Sequence, residues 1–160
     1  MIAIQNIYKK FGKLEVLNDV SLTFNKGECI ALIGPNGCGK TTLIKSILGM
    51  VIPSKGDILF NEKSILKEFK YREQIGYMPQ IGRYPDYMTV GQIIEMIKKI
   101  RNSGEVLDED LIKAFELEKI FDKQMRTLSG GTTQKVSATL AFLFLFLCLN
   151  YLTFGRRLRF

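Results

Sequence analysis

The chain has 160 residues, 46% apolar and 24% charged, which is enough for one domain with an ordinary core and excludes a disordered polypeptide. Its net charge is +7, but Arg156, Arg157 and Arg159 supply three of those charges and the other basic residues are dispersed, which excludes a basic groove for nucleic acid. The sequence contains no histidine, so His-based chemistry is excluded too.

In chain order, Ile2 to Tyr8 reads as a short strand and "KKFGK" as the turn after it. Val20, Leu22 and Phe24 alternate with Ser21 and Thr23, the pattern of a half-buried strand, and "NKGE" follows as a turn. "CIALIG" is a continuous apolar run, which predicts a parallel strand buried on both faces. Leu43, Ile44, Ile47 and Leu48 then share one helical face, with Gly49 as a stop signal. "GDILF", Gly56 to Phe60, is another strand with a turn at Asn61–Lys63, and "IGYMPQ" is a strand running into a loop. From Thr89 the period changes. Val90, Ile93, Ile97 and Ile100 predict an amphipathic helix with Thr89 as N-cap. Asp108 is expected to cap a further helix that turns Leu111, Ile112 and Phe115 inward. Cys29, Cys38 and Cys148 have no metal-ligand or CxxC spacing, and the N-terminus has no signal-peptide pattern, so the expected location is the cytoplasm.

The chemistry sits between the apolar run and the first helix. Gly34, Pro35, Asn36, Gly37, Cys38, Gly39, Lys40 and Thr41 spell GPNGCGKT, with Thr42 next, and satisfy GxxxxGK[ST] between a strand and a helix. Glycines let successive N–H groups converge on one centre, and the helix adds the positive end of its dipole there. Lys40 then reaches the β- and γ-phosphates of a nucleotide, and the Thr41 hydroxyl is a candidate Mg²⁺ ligand. Cys38 reads most simply as a small residue that fits the loop; a thiol activated by the surrounding N–H groups is the alternative.

A second motif narrows the class. "LSGGTTQK" places Ser129, Gly130 and Gly131 just before a helix, which makes another anion-binding end. With both motifs in place, residues 1–144 resemble the ATP-binding subunit of ABC transporters. The resemblance implies that Ser129, Gly130 and Gly131 face the γ-phosphate held by a second ATP-binding subunit, so that two chains sandwich two nucleotides. It implies that Phe11 stacks on adenine, although a Phe after a strand also fits a core position. It implies that Gln80, at the end of "IGYMPQ", touches Mg²⁺ and senses a transmembrane permease subunit. The segment "RYPDYMTVGQ" resembles the start of the helical subdomain that docks on the permease, which places the chain peripherally on the inner face of the membrane. Thr132 stands where the family often has Gln, and Glu62 where it often has Gly. "LSGGTTQKVSATLAFLF" also resembles the ATP-binding subunits that serve copper-site maturation of nitrous oxide reductase.

The expected fold is therefore α/β of the P-loop NTPase class, with an N-terminal β portion, a helical subdomain at about residues 86–128, and later core strands missing. In the family an Asp-Glu pair follows the signature helix and a His comes later. Counting forward, the pair belongs near Leu152 and Thr153, yet no Asp or Glu follows Asp122. On this resemblance the chain binds ATP without efficient hydrolysis. Residues 145–160 read as an aberrant apolar and basic tail from a shifted reading frame or gene decay, leaving a truncated protein. Val136 to Gly155, an uncharged stretch of twenty residues before Arg-Arg, also meets the length of a membrane anchor, and a native short C-terminus is the third reading. A soluble ABC protein without a permease and a nonfunctional remnant are the alternatives for the whole chain.

Overall fold

Alternating apolar residues build the first sheet. In a computed structural model of the chain, which describes residues 1–101 and 107–143 and the backbone of 147–150, β1 (Ile2–Phe11) lies between β2 (Leu14–Phe24) and β3 (Lys55–Phe60), and β4 (Lys63–Ser64) adds to the far edge of β3. All these pairings are antiparallel. Ile2, Ile4 and Ile7 are buried, and the odd step between Ile4 and Ile7 is a bulge. Asn6 takes a left-handed φ of 45° there, and its side-chain amide donates to Asp19 Oδ1 at 2.8 Å. The extra residue swings Ile7 back to the core face, as bulges do. β1 continues through Phe11, so the expected turn shrinks to Gly12 and Lys13.

The β3–β4 turn carries left-handed φ angles at Asn61 (47°) and Glu62 (67°). A side chain at Glu62 is strained where glycine would not be. Glu62→Gly is expected to stabilise the chain by about 0.5–1 kcal/mol, the left-handed cost less the extra unfolded-state freedom of glycine. A urea midpoint that falls instead of rising would rule this out.

Helix α1 (Lys40–Ile47) buries Leu43, Ile44 and Ile47, together with Leu48 at its C-cap. Eight residues are too few for a helix to stand alone, so this packing holds it, at roughly 1.5–3 kcal/mol per buried aliphatic side chain. Tyr71 closes the same core and donates its hydroxyl to the Ile47 carbonyl at 2.9 Å. These elements form one compact unit, Met1–Arg72.

"CIALIG" departs from expectation. No described strand pairs with residues 28–34, and Cys29, Ile30 and Ala31 are exposed while Leu32 and Ile33 are half-buried. A parallel strand exists only through its neighbours, and an apolar run without them is not buried on both faces.

A second compact unit begins at Glu73. Thr89 caps α2 (Val90–Arg101) as expected. Its Oγ1 accepts from Gln92 N at 3.2 Å, while Gln92 Oε1 accepts from Thr89 N at 2.9 Å, a reciprocal capping box. Val90, Ile93 and Ile94 are buried, whereas Ile100 is 70% exposed. At 3.6 residues per turn Ile100 sits roughly 80° around the helix from Val90, on the margin of the stripe. Helix α3 (Asp110–Ala114) begins later than Asp108, whose Oδ1 accepts from Asp110 N at 2.9 Å; Ile112 is buried and Phe115 packs against the same core. Met125 and Leu117 complete that core, with Val136 of α4 (Gly130–Phe142) and Leu143 beyond it.

The anchor reading of Val136 to Gly155 requires one continuous helix, and the described residues of that span do not form one. Helix α4 ends at Phe142, and Leu147–Asn150 forms a strand, β6, parallel to β5 (Ile75–Met78). Among the described residues no helix is long and apolar enough to cross a membrane. Leu152, Thr153 and the rest of residues 151–160 lie outside the described residues, as do 144–146.

Candidate functional site

The phosphate loop leads into α1 through glycines in conformations that other residues resist. Gly37 has φ 85° and Gly39 has φ 92°, and Gly39 is buried. A Cβ on Gly39 would lie 2.6 Å from the Val16 carbonyl oxygen and 3.0 Å from the Leu17 side chain. Gly39 is thus where β2 presses against the start of the helix. No side chain caps α1, so its first turn turns backbone N–H groups and the positive dipole end toward the loop.

Lys40 is only 8% exposed. Its ammonium folds back into the loop and donates to the Gly34 and Pro35 carbonyls, each at 2.8 Å, which satisfies a charge that burial would otherwise penalise. Cys38 Sγ lies 3.7 Å from the same nitrogen and fills the space over Gly34, where a Cβ would come within 2.7 Å of it. Pro35, Asn36 and Gly37 form the exposed rim, and Thr41 and Thr42 follow on the first turn, Thr41 exposed and Thr42 half-buried. The loop therefore surrounds one ammonium with backbone, a cradle of the right chemistry for phosphate.

Phe11, at the end of β1, is 50% exposed and stands outside the core. Lys9 Nζ sits over its ring, 5.1 Å from the centroid. The sequence motifs do not single out Lys9, although residues two apart on a strand share a face.

In the second unit, Ser129 is the N-cap of α4. Its Oγ accepts from Thr132 N at 3.2 Å and lies 2.9 Å from Thr132 Oγ1. Thr132, in sequence no more than a departure from Gln, thus completes the cap through its hydroxyl. Gly130 and Gly131 are exposed, and a Cβ on either would meet nothing within 4 Å. Among the described residues, packing requires neither glycine. Gly131→Ala is expected to leave stability unchanged or to raise it by up to about 1 kcal/mol, since alanine is the better helix former. A lowered thermal midpoint would show that the glycine serves the fold.

Gln80 is exposed, two residues beyond β5. Nearby, the Tyr84 hydroxyl lies 2.8 Å from Ser137 Oγ, and burial pushes the phenol's pKa up, so it stays neutral. A cavity of about 310 Å³ lies at the opposite end of α1 from the phosphate loop, lined by Val51, Ile52, Leu66, Phe69 and Arg72 among others. It does not include the loop.

Comparison with known proteins places this geometry in a family. A family model described as "ABC transporter" matches residues 17–144. The carnitine transport ATP-binding protein OpuCA of Listeria monocytogenes is 36% identical over 145 residues, covering 85% of this chain and 36% of that protein. The zinc import ATP-binding protein ZnuC of Rickettsia conorii is 36% identical over 138 residues, covering 85% of this chain and 54% of that protein. The chain thus spans about a third to a half of the length of these relatives. A solved structure described as the ATP binding subunit of an ABC transporter superposes with a TM-score of 0.81 at 29% identity, covering 89% of this chain and 62% of that one. The chain has the P-loop NTPase fold and belongs to the ABC transporter family of ATP-binding subunits.

Proposed function

We propose that the chain binds Mg-ATP as the energy-coupling subunit of an ABC transporter. The carrying observation is the Lys40 ammonium held inside a glycine loop at the uncapped start of α1. Phosphate oxygens of ATP would replace the Gly34 and Pro35 carbonyls as its partners, so that the ammonium meets charged acceptors in place of neutral ones. Mg²⁺ is ordinarily held by one or two protein ligands together with the phosphates, a role that suits the Thr41 hydroxyl. Exposed Ser129, Gly130 and Gly131 suit a second ATP-binding subunit facing them across a nucleotide. Relatives named for carnitine transport and zinc import suggest a transmembrane permease partner, with this subunit on the cytoplasmic face. The permease would choose the cargo.

The chain's own residues supply the phosphate-holding part of the chemistry, in the loop and the signature. Calorimetric titration of the chain with Mg-ATP and with AMP tests the proposal. Saturable binding of Mg-ATP, with AMP bound far more weakly, supports it. Equal affinity for the two would remove the phosphate loop from the account.

A further inference from the structure

We propose that Lys9 is a positioning residue for the nucleotide base, because its tethered ammonium covers one face of the Phe11 ring and leaves the other face for stacking. The inference rests on the reading of Phe11 as the base platform.

A half-exposed phenylalanine at a strand end is held only in part by packing, and a base that stacks on it must immobilise it further. Here the ring already has a partner. Lys9 and Phe11 lie two residues apart on β1 and so project to the same side of the strand. The Lys9 ammonium stands 5.1 Å from the ring centroid, within the range of a cation–π contact. It is not a loose surface charge, since it donates to the Ile52 carbonyl at 2.7 Å. That bond ties β1 to the segment between α1 and β3, so the cation is fixed from both sides. A ring approached by a fixed cation on one face is oriented before any base arrives, and a purine has one face left to use. Lys10, the neighbouring lysine, is engaged differently: it pairs with Glu15 at 3.1 Å. It provides a control of identical charge.

The experiment measures dissociation constants of the full chain for Mg-ATP and for Mg-tripolyphosphate, which lacks a base. Lys9→Met is expected to weaken Mg-ATP by about two- to fivefold, the size of an exposed cation–π contact, and to leave Mg-tripolyphosphate unchanged. Lys9→Arg should restore ATP binding, because a guanidinium can both donate to Ile52 and stack on the ring. Lys10→Met should change neither ligand. In a Phe11→Ala background, Lys9→Met should have no further effect. Equal weakening of both ligands by Lys9→Met, or no weakening of ATP, overturns the proposal. The two layers separate cleanly. If Phe11→Ala weakens ATP selectively while Lys9→Met does not, only the role of Lys9 fails. If Phe11→Ala leaves ATP binding intact, the base platform itself fails and Lys9 with it.

Discussion

Gly39→Ala is expected to abolish measurable Mg-ATP binding and to destabilise the chain by about 2–4 kcal/mol, as strain at one left-handed position combines with a backbone clash. Two independent costs meet at this residue. Its φ of 92° is one that an alanine resists, and a Cβ would stand 2.6 Å from the Val16 carbonyl oxygen. That neighbour is backbone within a paired strand, so it cannot swing aside as a flexible side chain would. Relief requires either that the loop leave its conformation or that β2 move away from α1. Either movement carries Lys40 and the first-turn N–H groups off their common centre. Urea unfolding followed by calorimetry reads both effects. An unchanged midpoint together with unchanged ATP affinity would mean that Gly39 does not join the two elements.

Lys40→Met separates binding from folding. The methionine keeps most of the side chain's length and apolar stem, but removes the ammonium that the Gly34 and Pro35 carbonyls hold at 2.8 Å. Mg-ATP affinity is expected to fall by roughly ten- to a hundredfold, the range of one hydrogen bond to a charged group. Stability should fall by only about 1–2 kcal/mol, since two carbonyls near the loop's exposed rim lose a donor that water can partly replace. Circular dichroism and a thermal scan check the second expectation. A variant that binds Mg-ATP with undiminished affinity would show that the ammonium makes no contact with phosphate.

Features governed by neighbours along the chain are legible in the sequence alone. The glycine spacing of residues 34–41 encodes a loop conformation directly, because φ near 90° at Gly37 and Gly39 is a local property of residues without Cβ. The Thr89 cap is legible for the same reason, since capping side chain and capped N–H lie within one turn. The alternation of Val20, Leu22 and Phe24 marks β2, although the strand begins earlier, at Leu14. Ser129 before two glycines marks the start of α4.

Tertiary structure alone decided what required a partner distant in the chain. Cys29 to Ile33 reads as the most strand-like apolar run, yet burial of a strand depends on what lies beside it, and no described strand does. The reverse holds for Leu147–Asn150, which reads as part of an aberrant tail and pairs in parallel with Ile75–Met78. In sequence Phe11 fits a core position as well as a platform; its exposure, and the Lys9 ammonium that the distant Ile52 carbonyl holds over its ring, take it out of the core. The Val16 carbonyl that presses on Gly39 carries no sequence signal at all, because every residue has one. By itself the sequence determined the phosphate loop, the helix caps and the family they indicate, all set by backbone freedom and hydrogen bonds within a turn or two. What only the tertiary structure decided was which apolar segments find neighbours and which side chains meet across strands, because those contacts form between residues that the order of the chain leaves far apart.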